Sequence, residues 1–180
     1  HCISSAASDV YKRQLLARQK AKRKFIRQLA TLNPDLVINT GDNFCSADSL
    51  QPLLDDMSEL LQRPGAFVFG SNDYLVPEFK NPLSYLLSGR SHQADKPVPE
   101  LPHEELRQAF TSAGWLDLND KSATLEVTGR RLAFRGTDDA HHNRDHYEEV
   151  AGPPNGEADL NIGVTHAPYL KILDLSLIHI

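Results

Sequence analysis

Four short apolar segments of this sequence each end abruptly in small or polar residues, and this repeated switch limits the folds open to the chain. The segments are residues 36–38, 66–69, 131–135 and 160–164. Short apolar runs bounded by turn residues are typical of buried strands. In open α/β sheets, ligands bind beyond the carboxyl ends of the strands. The polar residues that follow the four segments are therefore expected to converge.

Two stretches with helical periodicity accompany the first two apolar segments, one before the first segment and one between the two. Phe25, Ile26, Leu29 and Leu32 recur at helical spacing and predict a helix over 15–32 with one buried stripe, which Asn33-Pro34 ends. Residues 50–61 repeat the helical period between the first two predicted strands. Strand, helix and strand at this spacing predict a βαβ unit with a buried parallel pair.

The second half of the sequence is richer in strand signals. Residues 104–113 predict a further helix, and residues 122–127 and 131–135 flank the Thr128-Gly129-Arg130 turn of a predicted hairpin. The last predicted strand is 160–164. Between the two halves, residues 77–102 hold prolines and small residues without any period, and we expect an insertion that is either a linker or a lid over the site. The expected class is α/β.

Length and charge narrow the range of functions. The chain has 180 residues, of which 40% are hydrophobic, enough for one sizeable core. Its formal net charge of −5 makes nucleic acid an unfavoured partner, because non-specific nucleic-acid binding needs a basic field. No run of about 18 apolar residues is present to span a bilayer.

The two ends differ from the segment that they flank. Residues 1–14 and 175–180 resemble peptides translated from sequencing-adaptor DNA, including "SAASDVYKRQ" and "LSLIHI". We expect residues 1–14 to be a non-native leader, residues 175–180 a non-native tail, and residues 15–174 a domain fragment. An ordinary head and a short terminal strand are the alternative.

The candidate functional residues follow the strand ends. They are Asp42, Asn43, Ser71, Asn72, Asp73, Asp138, Asp139, His141, His142 and His166. Each taken singly is more often structural, because Asp and Asn cap turns and helices and a lone histidine is usually a satisfied core residue. Their shared position after strand ends is what favours a site.

Three motifs give the sequence a family resemblance. "PDLVINTGDN", "GAFVFGSNDY" and "IGVTHAP", in that order and spacing, resemble the middle motifs of calcineurin-like metallophosphoesterases. The resemblance covers nearly all of residues 15–174 and is strongest with bacterial, often membrane-anchored members. It implies a protein of the bacterial cytoplasm or one associated with the membrane, and a membrane anchor would precede this segment. The resemblance further implies a four-layer α/β/β/α sandwich, incomplete here at both ends.

The resemblance also implies a reaction. A hydroxide bridging two divalent ions (Mn, Fe or Zn), about 3.5–4 Å apart, would hydrolyse a phosphomonoester or phosphodiester, including lipid- or cell-wall-linked esters. Asp42 matches the bridging carboxylate of the family, and His166 matches a histidine ligand of the second ion. Thr165 or a nearby carbonyl would orient the other nitrogen of His166. Asn43, Asp73, Asp138, Asp139, His141 and His142 would line the cleft.

The sequence departs from the family pattern in the second motif. Gly70-Ser71-Asn72-Asp73 stands where the family has Gly-Asn-His-Asp. Either Ser71 takes the place of the metal-binding amide and Asn72 that of the catalytic histidine, or Asn72 itself ligates metal. An amide cannot act as a general acid, so the substrate would need a good leaving group or another proton donor, such as His141 or His142.

Further departures leave the activity of this chain open. The first motif, Asp-x-His, is expected before the first helix, where the sequence has Ser8-Asp9-Val10-Tyr11, and the final Gly-His-x-His is not present. We expect the fragment itself to be inactive. The alternative is a non-catalytic interaction scaffold on the same fold with a degenerate metal site. A nucleotide-binding domain is disfavoured because "NTGDN" lacks the glycine spacing of a phosphate loop.

Overall fold

The structure is a computed structural model that describes residues 19–76, 99–140 and 144–167. The described chain is a mixed α/β fold with five α-helices and two three-stranded sheets. Its elements, in chain order, are α1 (Lys20–Ala30), β1 (Val37–Asn39), α2 (Leu50–Met57), β2 (Gly65–Phe67), α3 (Ser71–Tyr74), α4 (His103–Ser112), β3 (Leu116–Asp117), β4 (Lys121–Val127), β5 (Arg130–Gly136), α5 (Tyr147–Val150) and β6 (Leu160–Val164). Single 3₁₀ turns at Ala47–Ser49 and Leu60–Gln62 flank α2.

The first sheet is parallel and has the order β1-β2-β3. The predicted βαβ unit is therefore confirmed, with α2 as the crossover helix. The central strand β2 is buried throughout, but Ile38 in β1 is 38% exposed because β1 forms an edge of the described sheet. The prediction that both strands of the pair are buried is thus wrong for β1.

Residues 66–69 divide the core between their two faces. Phe67 and Phe69 point to one side, where they pack with residues of the helices α2 and α4, such as Leu53 and Phe110. Ala66 and Val68 point to the other side. This alternation follows from the two-residue period of an extended chain. The first sheet consequently has helices against one face and a second apolar layer against the other.

The second sheet has the order β4-β5-β6 and supplies that second layer. Strands β4 and β5 form the predicted hairpin, in which Val127 pairs with Arg130. The two residues between them, Thr128 and Gly129, both have positive φ (49° and 75°), as a tight hairpin turn requires. Strand β6 joins β5 in parallel. The predictions of a hairpin and of a final strand over 160–164 are confirmed.

The two sheets share one apolar cluster. Val68, directly after β2, packs with Phe134 and Val164 of the second sheet and with Leu118 of the connection between the sheets. At Gly136, any Cβ would clash with the Leu118 carbonyl and would lie 2.9 Å from Val68 Cγ1. A glycine at the end of β5 therefore allows the sheets to approach closely.

Helix α1 buries only part of the apolar stripe predicted for it. Phe25 and Leu32 are 60% and 75% exposed, so the prediction that they form a buried stripe is wrong. Ile26, which also belongs to the predicted stripe, does pack on the core, and it lies about 100° around the helix from Phe25. Arg23 and Arg27 both bind the buried carboxylate of Asp56 in α2. These two ion pairs fix the rotation of the helix.

The ends of the predicted insertion meet. Leu75 pairs with Glu100, Val76 N–H donates to the Pro99 carbonyl at 3.1 Å, and Leu101 N–H donates to the Tyr74 carbonyl at 2.8 Å. Residues 77–98 lie outside the described residues, as do the predicted leader and tail. Leu101, within the predicted range of the insertion, belongs to the buried core. No helix in the described ranges has the length and apolarity needed to cross a membrane.

Candidate functional site

The loop after β1 makes a tight turn that carries Asp42. The side-chain oxygen of Asn39 accepts the Gly41 N–H at 2.9 Å, and Gly41 and Asp42 both have positive φ (89° and 59°). A Cβ at Gly41 would clash with the backbone nitrogen of Gly70. Glycine is therefore required for the loops after β1 and β2 to touch.

The buried side chain of Asp73 hydrogen-bonds to both of these loops. Its Oδ2 accepts the backbone N–H groups of Asp42 (2.7 Å) and Gly70 (2.9 Å), and its Oδ1 accepts the backbone N–H of Asn43 (2.7 Å). The side chain is fully buried, and that burial raises the pKa of Asp73 to about 6, against the lowering effect of the N–H donors. Asp73, predicted to line a cleft, thus lies beneath the loops.

Asn72 is the residue of the second motif that reaches Asp42. Its side-chain amide donates to Asp42 Oδ2 at 2.8 Å, and its backbone N–H donates to Asp42 Oδ1 at 3.1 Å. Ser71 instead contributes its carbonyl, which accepts the Leu75 N–H at 3.2 Å. Asn72 is the side chain that the fold brings to the carboxylate. Both alternatives from the sequence place Asn72 in the site, so the role of Ser71 stays a prediction.

His166 approaches Asp42 from the end of β6. Its Nδ1 lies 2.6 Å from the carbonyl oxygen of Thr40, and its Nε2 lies 3.6 Å from Asp42 Oδ1. A carbonyl only accepts, so Nδ1 carries a proton. Nε2 then faces a carboxylate oxygen, an arrangement that is favourable when a proton or another cation lies between the two atoms. Both side chains are 21% exposed, so the pair is open to solvent.

Gly70 leaves the space in which these groups meet. A Cβ at this position would clash with Asp42 Oδ1 and would lie 2.6 Å and 2.7 Å from the Cε1 and Nδ1 atoms of His166. Its backbone, with φ of −108°, is accessible to any residue. The requirement for glycine here comes from the space between Asp42 and His166 and not from the backbone.

The side chains of this cluster belong to types that ligate divalent ions. A carboxylate, an imidazole nitrogen and an amide that can turn its oxygen inward form a mixed N/O set of the kind that Mn, Fe and Zn accept. The hydrogen bond from His166 to Thr40 fixes the ring, as is usual for a metal-ligating histidine. Within the described ranges, no group of three or more His, Cys, Asp or Glu residues could hold a metal. Ligands for a second ion would have to come from elsewhere in the protein.

Asn43, Asp138 and Asp139 have other partners. Asn43 donates its side-chain amide to Asp73 at 3.1 Å and accepts from the amide of Asn39 at 2.6 Å. Asp138 accepts the Tyr74 hydroxyl, with O–O distances of 2.6 and 2.7 Å, and burial raises the pKa of Asp138. Asp139 is fully buried. His141 and His142 lie outside the described residues.

Three contributors to the site were not identified from the sequence. Thr40 acts through its carbonyl, Gly70 through the absence of a side chain, and Tyr74 by joining the loop after β2 to Asp138. The sequence left Thr165 or a nearby carbonyl to orient His166, and the structure has the Thr40 carbonyl in that position. The Thr165 hydroxyl donates to the Ala167 carbonyl at 3.2 Å instead. A backbone carbonyl has no signature in the sequence, whereas the glycine at the end of the second strand could have been recognised.

Comparison with family models and curated proteins assigns no family to this chain. No family model matches the chain, and a search of curated proteins finds no matching relative. The resemblance read from the motifs therefore stays a prediction, and the functional argument depends on the arrangement of Asp42, Asn72 and His166.

Proposed function

We propose that the chain is part of a metal-dependent phosphoesterase of the calcineurin-like class, with Asp42, Asn72 and His166 in its metal site. The observation that carries the proposal is the meeting of three strand-end loops at one point, where His166 Nε2 lies 3.6 Å from Asp42 Oδ1. Structural turns at three strand ends would not require His166, 124 positions beyond Asp42, to direct a ring nitrogen at that carboxylate. The space next to Gly70 supports the same conclusion.

Each residue of the site has a distinct part in the proposal. Asp42 supplies the negative charge, His166 presents Nε2, and Asn72 holds the carboxylate by two hydrogen bonds. When bound, divalent ions in such a site supply Lewis acidity at the phosphoryl oxygens and activate the attacking water. Asp73 keeps the Asp42 and Gly70 loops at a fixed separation. An amide at position 72 cannot protonate a leaving group, so the proposal favours esters of acidic alcohols or phenols.

The finer architecture is part of the proposal. Two stacked sheets with helices against the outer face of the first are three layers of a four-layer α/β/β/α sandwich. The shared cluster of Val68, Phe134 and Val164 supports that arrangement. A phosphate ester remains the proposed substrate, with lipid- and cell-wall-linked esters included.

One observation favours a second candidate, a non-catalytic scaffold with a degenerate metal site. The Asn72 amide occupies Asp42 Oδ2, and the described residues offer only one carboxylate and one imidazole as strong donors at this point. In a scaffold, these contacts would stabilise the loops and no ion would be needed.

Metal binding separates the two candidates without depending on turnover. We expect Mn²⁺, titrated by calorimetry or followed by its EPR signal, to bind the wild-type chain. Asp42→Asn and His166→Gln should each weaken that binding at least tenfold, because each removes a donor. His146→Gln, which removes an imidazole that is bonded to Asp120, is the matched control and should bind Mn²⁺ like the wild type. Absence of Mn²⁺ binding, or equal binding in all four proteins, would favour the scaffold.

Hydrolysis of an aryl phosphodiester in Mn²⁺ then tests the reaction class. The measurement should be made on the full-length protein that contains this segment, with Asp42→Asn as the inactive control. Metal uptake without any Asp42-dependent turnover would contradict the phosphoesterase proposal.

A further inference from the structure

A second cluster of polar residues centres on Tyr74, which directly follows Asp73 in the loop after β2. The guanidinium carbon of Arg144 lies 4.2 Å from the centroid of the Tyr74 ring. The hydroxyl of the same tyrosine donates to the carboxylate of Asp138. Tyr74 also packs edge-on against Phe69, with ring centroids 5.5 Å apart. The Tyr74 ring is thus held by its hydroxyl and by its edge, and the guanidinium of Arg144 stacks on one of its faces.

Tyr74 is connected to both halves of the proposed site. It directly follows Asp73, which binds the backbone of Asp42, and it is two residues after Asn72. On the other side, Asp138 follows Thr137, whose N–H donates to the Val164 carbonyl at 3.2 Å and whose hydroxyl contacts that of Thr165. Arg144 therefore stacks on a residue that is joined through the chain to the loop of Asn72, and through Asp138 to the strand end that carries His166.

The backbone around Arg144 is held in place by its own contacts. Arg144 N–H donates to the Asp139 carbonyl at 3.0 Å. Two residues later, His146 donates its backbone N–H to Asp120 Oδ1 at 3.0 Å, and its ring nitrogen lies 3.3 Å from Asp120 Oδ2. The guanidinium is consequently delivered to Tyr74 by a segment anchored on both sides.

Arg107 shows how a structural arginine is used in the same fold. Its guanidinium also stacks on an aromatic ring, that of Phe69, at 4.9 Å, but it is ion-paired to Asp117 at 2.6 Å. The ion pairs formed within the described ranges include Arg23, Arg27, Arg107, Arg130 and Arg131, and they do not include Arg144. A guanidinium that stacks through its face can donate hydrogen bonds to an anion from the N–H groups at its edge. The planar arrangement of these N–H groups matches the oxygens of a phosphate group.

We propose that Arg144 is a substrate-binding residue that donates hydrogen bonds to the non-bridging oxygens of the phosphate group. The proposal rests on the phosphoesterase function proposed above and assigns that site its anion-binding side chain. Tyr74 and Asp138 are positioning residues, since one holds the guanidinium by its ring and the other holds that ring by its hydroxyl.

Inorganic phosphate is the probe for this proposal. Its affinity for the Mn²⁺-loaded chain is measured by calorimetry for the wild type, Arg144→Gln and Arg144→Lys. Arg144→Gln should weaken phosphate binding at least fivefold, and Arg144→Lys should weaken it less, because lysine keeps the charge and loses the planar fork. Arg130→Gln removes the same charge from a side chain that is 72% exposed, and its phosphate affinity should equal that of the wild type.

The outcomes separate this proposal from the one on which it rests. Mn²⁺ affinity should be the same in the wild type and in Arg144→Gln, because Arg144 contributes no metal donor. If the wild type takes up no Mn²⁺, the metal site fails, and a phosphate titration without metal still tests Arg144. Equal phosphate affinity in Arg144→Gln and Arg130→Gln, or no phosphate binding by the wild type, would overturn the proposal. If Arg144→Gln does not fold, the comparison with Arg144→Lys decides.

Discussion

The buried carboxylate of Asp73 accepts the backbone N–H of Asp42 at 2.7 Å, across 31 positions of the sequence. The same oxygen accepts the Gly70 N–H, and the other oxygen accepts that of Asn43. Three backbone donors from two loops thus converge on one side chain that is shielded from water. This carboxylate determines the distance between the loops that carry Asp42 and Asn72.

Replacing Asp73 by asparagine should destabilise the chain. An amide would set its own N–H group against backbone donors and leave at least one of them without an acceptor. The expected loss is about 1–3 kcal/mol in the free energy of unfolding, measured by urea denaturation. Asp48→Asn, at an exposed position, is the control and should change the midpoint little. Equal stability of the two variants would show that the N–H groups find other acceptors.

Replacing Gly70 by alanine should abolish the proposed metal site while leaving the backbone conformation allowed. The added methyl group would clash with Asp42 Oδ1 and would lie 2.6 Å from His166 Cε1, so the two side chains must separate. We expect at least a tenfold loss of Mn²⁺ affinity. Gly156→Ala is the matched control, because a Cβ there meets nothing within 4 Å. Unchanged Mn²⁺ binding by Gly70→Ala would contradict the assignment of Asp42 and His166.

The docking of α1 should depend on Asp56. Its side chain is 2% exposed and binds Arg23 and Arg27, which are 27% and 52% exposed. Solvent screens both arginines, so Asp56→Asn should cost only about 1–2 kcal/mol of unfolding free energy. The difference from the wild type should shrink in high salt. Asp55→Asn, its exposed neighbour, should have no comparable effect, and a similar loss in both variants would argue against the ion pairs.

Acid should weaken the chain partly through Asp117. Burial raises the pKa of Asp117, but hydrogen bonds from Lys121 and Asn119 and the charge of Arg107 outweigh that effect and lower it below its usual value of 3.8. The unfolded chain then binds the proton more tightly. The stability contributed by Asp117 is therefore present above about pH 4 and is lost as the pH falls through the lowered pKa.

Urea denaturation between pH 7 and pH 2.5 measures this contribution. Asp117→Asn should be less stable than the wild type at pH 7, and the difference should narrow below about pH 4. Asp48→Asn serves again as the control. A difference that stays constant over the whole range would mean that Asp117 has the same pKa in the folded and unfolded states.

Much of the fold could be predicted because its signals are local. The hairpin turn at Thr128-Gly129, the strand over 160–164 and the crossover helix between β1 and β2 follow from turn chemistry and periodicity within about ten residues. The face of α1 could not be predicted in this way. Phe25 and Ile26 are both apolar and both were predicted to be buried, but only Ile26 packs on the core of a helix that is ion-paired to Asp56, about 30 positions away in the sequence.

The candidate site likewise has features that local sequence specifies and features that depend on long-range contacts. The sequence by itself determined which residue types follow the strand ends, including Asp42, Asn72 and His166, because strands and their turns are specified by neighbouring residues. Only the tertiary structure decided that Asn72 rather than Ser71 reaches Asp42, that Asp73 is buried beneath the loops, and that the Thr40 carbonyl orients His166. The physical reason is that these contacts depend on the order of strands in two sheets and on how closely the sheets pack, and no short stretch of sequence specifies either.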